Sequence, residues 1–163
     1  MKLLVTGGCG YKGSVLIPSL LADGHSVMSI DTQWFGNALP EHPQLTNLKL
    51  DVRDTDAIPL TGVEAIIHLA NIANDPAVEL NPTLSWEVNV LAGQQLVDRA
   101  VRAGVKHFLF ASSGSVYGVK DEPQVTEDLT LVPISVYNKT KMVAERVFLS
   151  YADQMQVHCI RPA

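Results

Sequence analysis

A glycine-rich turn, Thr6-Gly7-Gly8-Cys9-Gly10-Tyr11-Lys12-Gly13, constrains this chain more than any other stretch. It joins the apolar run Leu3-Leu4-Val5 to a second one, Val15-Leu16-Ile17, and reads as strand, turn and helix. Gly7, Gly10 and Gly13 can meet three needs: a tight turn, close approach of a ligand to the backbone, and close packing of the new helix on the strand. The first N–H groups of that helix have no intrahelical partners, and the helix dipole favours negative charge there, so the turn suits a pyrophosphate. Its spacing departs from G-x-G-x-x-G by one residue between the first two glycines.

Beyond the turn, strand and helix alternate. Strands are expected from Lys2 to Val5, Ser26 to Ile30, Asn47 to Leu50, Val63 to Leu69, Val105 to Ala111 and Gln156 to Ile160. Helices are expected from Tyr11 to Ala22, with a local irregularity at Pro18 and a cap at Gly24, from Pro82 or Thr83 to Ala103, and from Val136 to Asp153. Ile72 to Asn81 reads as irregular. The alternation calls for an α/β fold, a Rossmann-like doubly wound parallel sheet of about six strands with helices on both faces.

A length of 163 residues with 47% apolar and 18% charged residues fits one globular domain. The net charge of −5, with no basic run, argues against a nucleic-acid partner. Cys9 and Cys159 give neither a disulfide framework nor zinc spacing, so no metal is expected; Cys9 reads as a small structural residue of the turn. A strand begins at once and no apolar run approaches spanning length, so neither a leader nor a membrane segment is expected and the chain is placed in the cytoplasm.

Asp31 ends the second strand, where an acid can bond both hydroxyls of an adenosine ribose and would repel a 2′-phosphate; NAD is favoured over NADP. Asp51 could accept a bond from the adenine amino group, and Asp54 could cap the short helix after it. Ala70 and Asn71 end the fourth strand, where small residues let a cofactor lie against the backbone. His68 reads as a satisfied core histidine. Asn89 either meets solvent or reaches backbone at the strand ends. Lys12 either offers its ammonium to a phosphate or points to solvent. Tyr137 and Lys141 share one face of a helix, where the ammonium would lower the tyrosine pKa and make an acid or base for a substrate oxygen. Ser113, at the end of a neighbouring strand, could hold the same oxygen.

With Asp51-Val52, His68-Leu69-Ala70, Asn89-Val90, Ser112-Ser113-x-x-Val116-Tyr117-Gly118, Tyr137-x-x-x-Lys141 and Arg161-Pro162 added to the glycine turn and Asp31, the chain resembles the extended branch of the short-chain dehydrogenase/reductase superfamily. Within that branch it is most similar to the NAD-dependent nucleotide-sugar epimerases and dehydratases, of the UDP-glucose 4-epimerase kind. The resemblance implies Ser113, Tyr137 and Lys141 as catalytic residues. It implies NAD contacts from Gly7, Gly10, Tyr11, Gly13, Asp31, Asp51, Val52, Leu69, Ala70, Asn89 and Ala111 as well as Tyr137 and Lys141, and a homodimer through the helices holding Asn89 and Tyr137. Lys12 replaces a usually apolar residue. Gly114-Ser115 stands where dehydratases of the family carry an acidic pair, which favours 4-epimerase or keto-sugar reductase over dehydratase. The resemblance also implies that residues 1–163 are the NAD-binding domain and that the substrate domain lies outside them. A nucleotide-binding module without catalysis is the alternative.

Overall fold

The computed structural model describes residues 1–162. Six strands form one parallel sheet in the order β3-β2-β1-β4-β5-β6: β1 (Lys2–Thr6), β2 (Ser26–Asp31), β3 (Leu45–Lys49), β4 (Ala65–His68), β5 (His107–Ala111) and β6 (Gln156–Ile160). This is the doubly wound Rossmann-like sheet expected from the alternation. The chain winds outward from β1 to β3, then returns to place β4 on the other side of β1. The crevice at this switch, beyond the carboxyl ends of β1 and β4, is where such sheets bind ligands.

Alternate residues of β1 feed two cores. Val5 packs with Val27 under Ile17 and Leu21 of α1 (Tyr11–Ala22). Leu4, Ile30, Ile66, Phe108 and Phe110 pack on the opposite face against Leu96, Val97 and Ala100 of α4 (Ala92–Arg102) and Ala144 and Phe148 of α5 (Val136–Leu149). α1 runs unbroken through Pro18, whose ring costs one bond, to the Ser14 carbonyl. The helix ends as expected at Gly24, in the left-handed region at φ 81°, with Gly24 N–H donating to the Leu21 carbonyl and His25 N–H to that of Leu20.

α1 shows no break at Pro18 and α5 stops at Leu149 rather than Asp153, and two larger parts also differ from the sequence reading. The segment from Ile72 to Asn81 contains a short helix, α2 (Asp75–Leu80), started by the Asn74 side chain, which accepts from Ala77 N–H at 3.1 Å. The long helix after it is not uniformly α. α3 (Pro82–Trp86) passes into a π-helical turn over Glu87–Leu91, and only then into α4. Ala92 N–H reaches back to the Glu87 carbonyl, which adds one residue to the turn and bulges the helix at Asn89.

Candidate functional site

The glycine turn leaves β1 through Gly7 in the left-handed region, φ 70°. A Cβ there would lie 2.7 Å from the Ala70 nitrogen at the end of β4, so the glycine lets the two strand ends close up. Gly13 serves the packing of α1: its Cβ would fall 2.3 Å from the Gly8 carbonyl oxygen. Gly10 stands at the helix start with no side chain capping the first turn.

Asp31 ties two segments together. One carboxylate oxygen accepts from Cys9 N–H at 3.0 Å and the other from Gln33 N–H at 2.6 Å. Each oxygen keeps a further lone pair. The Cys9 thiol meets Asn37 and Asn47, and burial pushes its pKa up; it behaves as a packing residue.

These residues border a cleft of about 630 Å³ over the carboxyl edge of the sheet. Of the residues named from sequence, Gly7, Gly10, Tyr11, Asp31, Asp51, Val52, Leu69, Ala70, Ala111, Tyr137 and Lys141 line it, and so does Lys12. Three do not. Gly13 lies buried beneath the turn. Ser113 lies beside the cleft, where its hydroxyl meets that of Ser115 at 2.8 Å and interacts with Tyr137. Asn89 is buried behind the wall, and its amide takes both backbone groups of Ile72: the oxygen accepts from Ile72 N–H at 2.7 Å, and the nitrogen donates to the Ile72 carbonyl at 3.1 Å. The same nitrogen reaches Thr140 Oγ1 at 3.2 Å. Of its two sequence alternatives, the backbone is the one it takes. Direct contact with a cofactor in the cleft is not what the geometry gives.

Asp51 is likewise engaged. Arg53 brackets its carboxylate at 2.7 to 3.2 Å and holds its pKa down, while Asp54 makes no side-chain cap. Trp34, Phe35, Ile72, Ala73, Leu84 and Val88 also line the cleft, and the sequence reading missed them. For Trp34 and Phe35 a signal was present, two aromatics close after Asp31. For the others the placement depends on how the Ile72 segment folds back.

Tyr137 and Lys141 sit together on the wall made by α5, but not as a directly bonded pair. Lys141 Nζ donates to the Ala111 carbonyl at 2.7 Å and lies 4.7 Å from the Phe110 ring centroid and 5.8 Å from that of Tyr137. Burial pushes the Lys141 pKa down to about 7; the like charge of Lys12 lowers it further and Glu145 opposes both. The expected lowering of the Tyr137 pKa is not found. Burial raises it, the Ser113 hydroxyl pulls the other way, and Asp75 adds to the rise. The phenol is therefore held protonated.

One turn beyond Lys141, buried Glu145 receives the Ser112 hydroxyl and a two-pronged bond from Arg161, with Nη2 at 2.7 Å. Arg161 also donates to the Tyr117 hydroxyl at 2.7 Å. This network joins α5 to the ends of β5 and β6. The sequence reading singled out Arg161 but not Glu145, because the pair meets only across the fold.

A switch-point cleft with a glycine turn at one end and a strand-end acid beside it defines a dinucleotide-binding α/β domain. The chain belongs to the NAD dependent epimerase/dehydratase family, whose pattern it matches over residues 3–163; the cofactor of that family is NAD. It is 35% identical over 93% of its length to a UDP-glucose 4-epimerase of Corynebacterium glutamicum, and 34% identical over 99% to a 3 beta-hydroxysteroid dehydrogenase/Delta 5-->4-isomerase of Mycobacterium tuberculosis. It covers 47% and 46% of those two proteins, so the chain spans about half the length of the curated relatives it matches. The dTDP-glucose 4,6-dehydratase DesIV of Streptomyces venezuelae, solved with NAD and TYD bound, superposes with a TM-score of 0.91 at 30% identity, covering 99% of this chain and 55% of that one.

Proposed function

We propose that this chain is the NAD-binding, chemistry-bearing part of an enzyme that interconverts or reduces a nucleotide sugar at a sugar carbon, C4 in the reading we favour. The observation that carries it is the shared cleft: Asp31 and the glycine turn border the same cavity as Tyr137 and Lys141. The residues suit NAD. The N-terminus of α1 lacks a side-chain cap and can take the pyrophosphate, and the two Asp31 oxygens retain lone pairs for ribose hydroxyls. Bound there, NAD would supply the hydride acceptor and donor.

The residues of the chain do the rest. Tyr137, held protonated by burial, gives its proton to a substrate oxygen and recovers it in the reverse direction. Ser113 orients that oxygen. Lys141, when charged, favours the phenolate left after the proton has gone. The Corynebacterium relative supports a UDP-hexose as substrate. Gly114 and Ser115 offer no acid for the extra proton transfers of a dehydration. Pairing of two copies through the helices that hold Asn89 and Tyr137 belongs to the same reading.

The test is in two stages. In calorimetric titrations, NAD binds at micromolar levels and NADP more weakly, and Asp31→Ala loses most of the NAD affinity. With a panel of UDP- and dTDP-hexoses, Tyr137→Phe lowers turnover by about 10²–10⁴-fold while NAD binding stays at the parent value. Undiminished turnover in that variant would remove Tyr137 from the chemistry. NAD binding with no turnover of any sugar would leave the dinucleotide-binding module as the reading.

A further inference from the structure

The cleft has a feature that neither the sequence motifs nor the chemistry uses. Trp34 and Phe35 come close after Asp31 and line the mouth of the cavity, yet they are 62% and 98% exposed. They are the two central residues of a tight turn, closed by Gly36 N–H donating to the Gln33 carbonyl at 3.0 Å. Gln33 at φ 57° and Gly36 at φ 89° both sit in the left-handed region. For Gln33 that costs conformational energy.

Asp31 itself holds the turn. Its Oδ1 accepts from Gln33 N–H, while its Oδ2 accepts from Cys9 N–H in the glycine turn. The carboxylate suited to the ribose therefore also fixes the turn that presents the aromatics. Leu50, Asp51, Val52 and Arg53 line the same cavity, Val52 buried and Asp51 held by Arg53. A planar base one glycosidic bond beyond a ribose at Asp31 would reach this part of the cleft.

We propose that Trp34 and Phe35 form an aromatic clamp on the adenine base of the cofactor, stacking on one face of the ring while Leu50 and Val52 support the other. The clamp rests on the NAD reading given above and deepens it. Phe35 contributes little to the stability of the fold, since almost none of its surface is withdrawn from water. Stacked on a purine, each aromatic ring can strengthen binding by about tenfold, and the effect tracks the base rather than the phosphates or the sugar.

The test uses Trp34 as its own reporter. Trp86 is the other tryptophan, packed against the core outside the clamp, and Trp86→Phe leaves Trp34 as the single indole. In that background NAD and ADP-ribose are expected to quench Trp34 fluorescence, and nicotinamide mononucleotide and UDP-glucose are not. By calorimetry, Phe35→Ala and Trp34→Ala each weaken ADP-ribose and NAD about tenfold, with thermal midpoints unchanged; Phe35→Tyr restores binding and Phe35→Leu does not.

Equal ADP-ribose affinity in parent and alanine variants would overturn the clamp and leave the NAD reading standing. So would full binding by Phe35→Leu, which would make the contact merely apolar. Quenching by UDP-glucose but not ADP-ribose would assign the aromatics to a different base and likewise overturn it. Failure of the parent chain to bind either NAD or ADP-ribose would remove the cofactor reading and the clamp together.

Discussion

Lys141 is a cation in a poor place for one. It is buried against Phe110, its ammonium has one carbonyl partner, and its pKa falls to about 7 from the ordinary 10.5. The folded chain thus holds fewer protons than the unfolded one between those values. The stability linked to this shift is complete above 10.5 and lost as pH falls through about 7. Lys141→Met removes the penalty. It is expected to raise unfolding stability on the order of 2 kcal/mol at pH 7, with the gain shrinking toward pH 10.5, while turnover is lost. Denaturant melts at neutral and alkaline pH read this directly; an equal gain at both would mean an ordinary lysine. Strongly shifted buried groups cluster at functional sites, which fits the role proposed for Lys141. Sequence spacing was enough to pair Lys141 with Tyr137 on one helix face. It could not give the sign of the Tyr137 shift, because that depends on how deeply α5 seats in the fold.

At the level of elements, the glycine turn, the alternation of strands and helices and the termination of α1 at Gly24 were legible because each arises from short-range chemistry. The π-helical turn was not. Its evident partner is remote in sequence: the Asn89 amide takes both backbone groups of Ile72 and bonds Thr140 on α5. The bulge thereby fixes the segment that carries Ile72 and Ala73 along the cleft wall. The same segment hid α2, a helix of six residues begun by Asn74 in the left-handed region, φ 65°. Asn89→Ala leaves the Ile72 N–H and carbonyl without these bonds. It is expected to cost about 2–3 kcal/mol in a urea melt and to weaken NAD several-fold by loosening the wall. A full loss of stability with unchanged NAD affinity would show that the Ile72 segment does not shape the cleft.

Across the whole molecule, three groups that burial shifts far from their ordinary values, His68, Lys141 and Cys159, contribute to how stability varies with pH, in windows that overlap only above about pH 9. His68 lies in the core among Phe108, Phe110 and Phe148, with Nδ1 against Thr6 Oγ1 at 2.8 Å and Nε2 without a partner among the described residues. Burial, helped by the charge of Lys141, lowers its pKa to about 3 from 6.5. Its contribution is complete above 6.5 and is lost as pH falls toward 3. Lys141 extends the rise upward from about 7. Cys159 works the other way: burial pushes its thiol up to about 12 from 9.0, so its contribution is present below 9.0 and lost as pH climbs through 12. Thermal midpoints are therefore expected to climb from acid to mildly alkaline pH and to flatten or turn over above about pH 9. The acid limb identifies its own cause. His68→Leu gives up the bond to Thr6, about 1 kcal/mol at pH 7, but removes the proton that must enter the core in acid. Its midpoint should fall much less than the parent's between pH 6.5 and about pH 4. Parallel acid limbs in the two proteins would show that acid unfolding does not originate at His68.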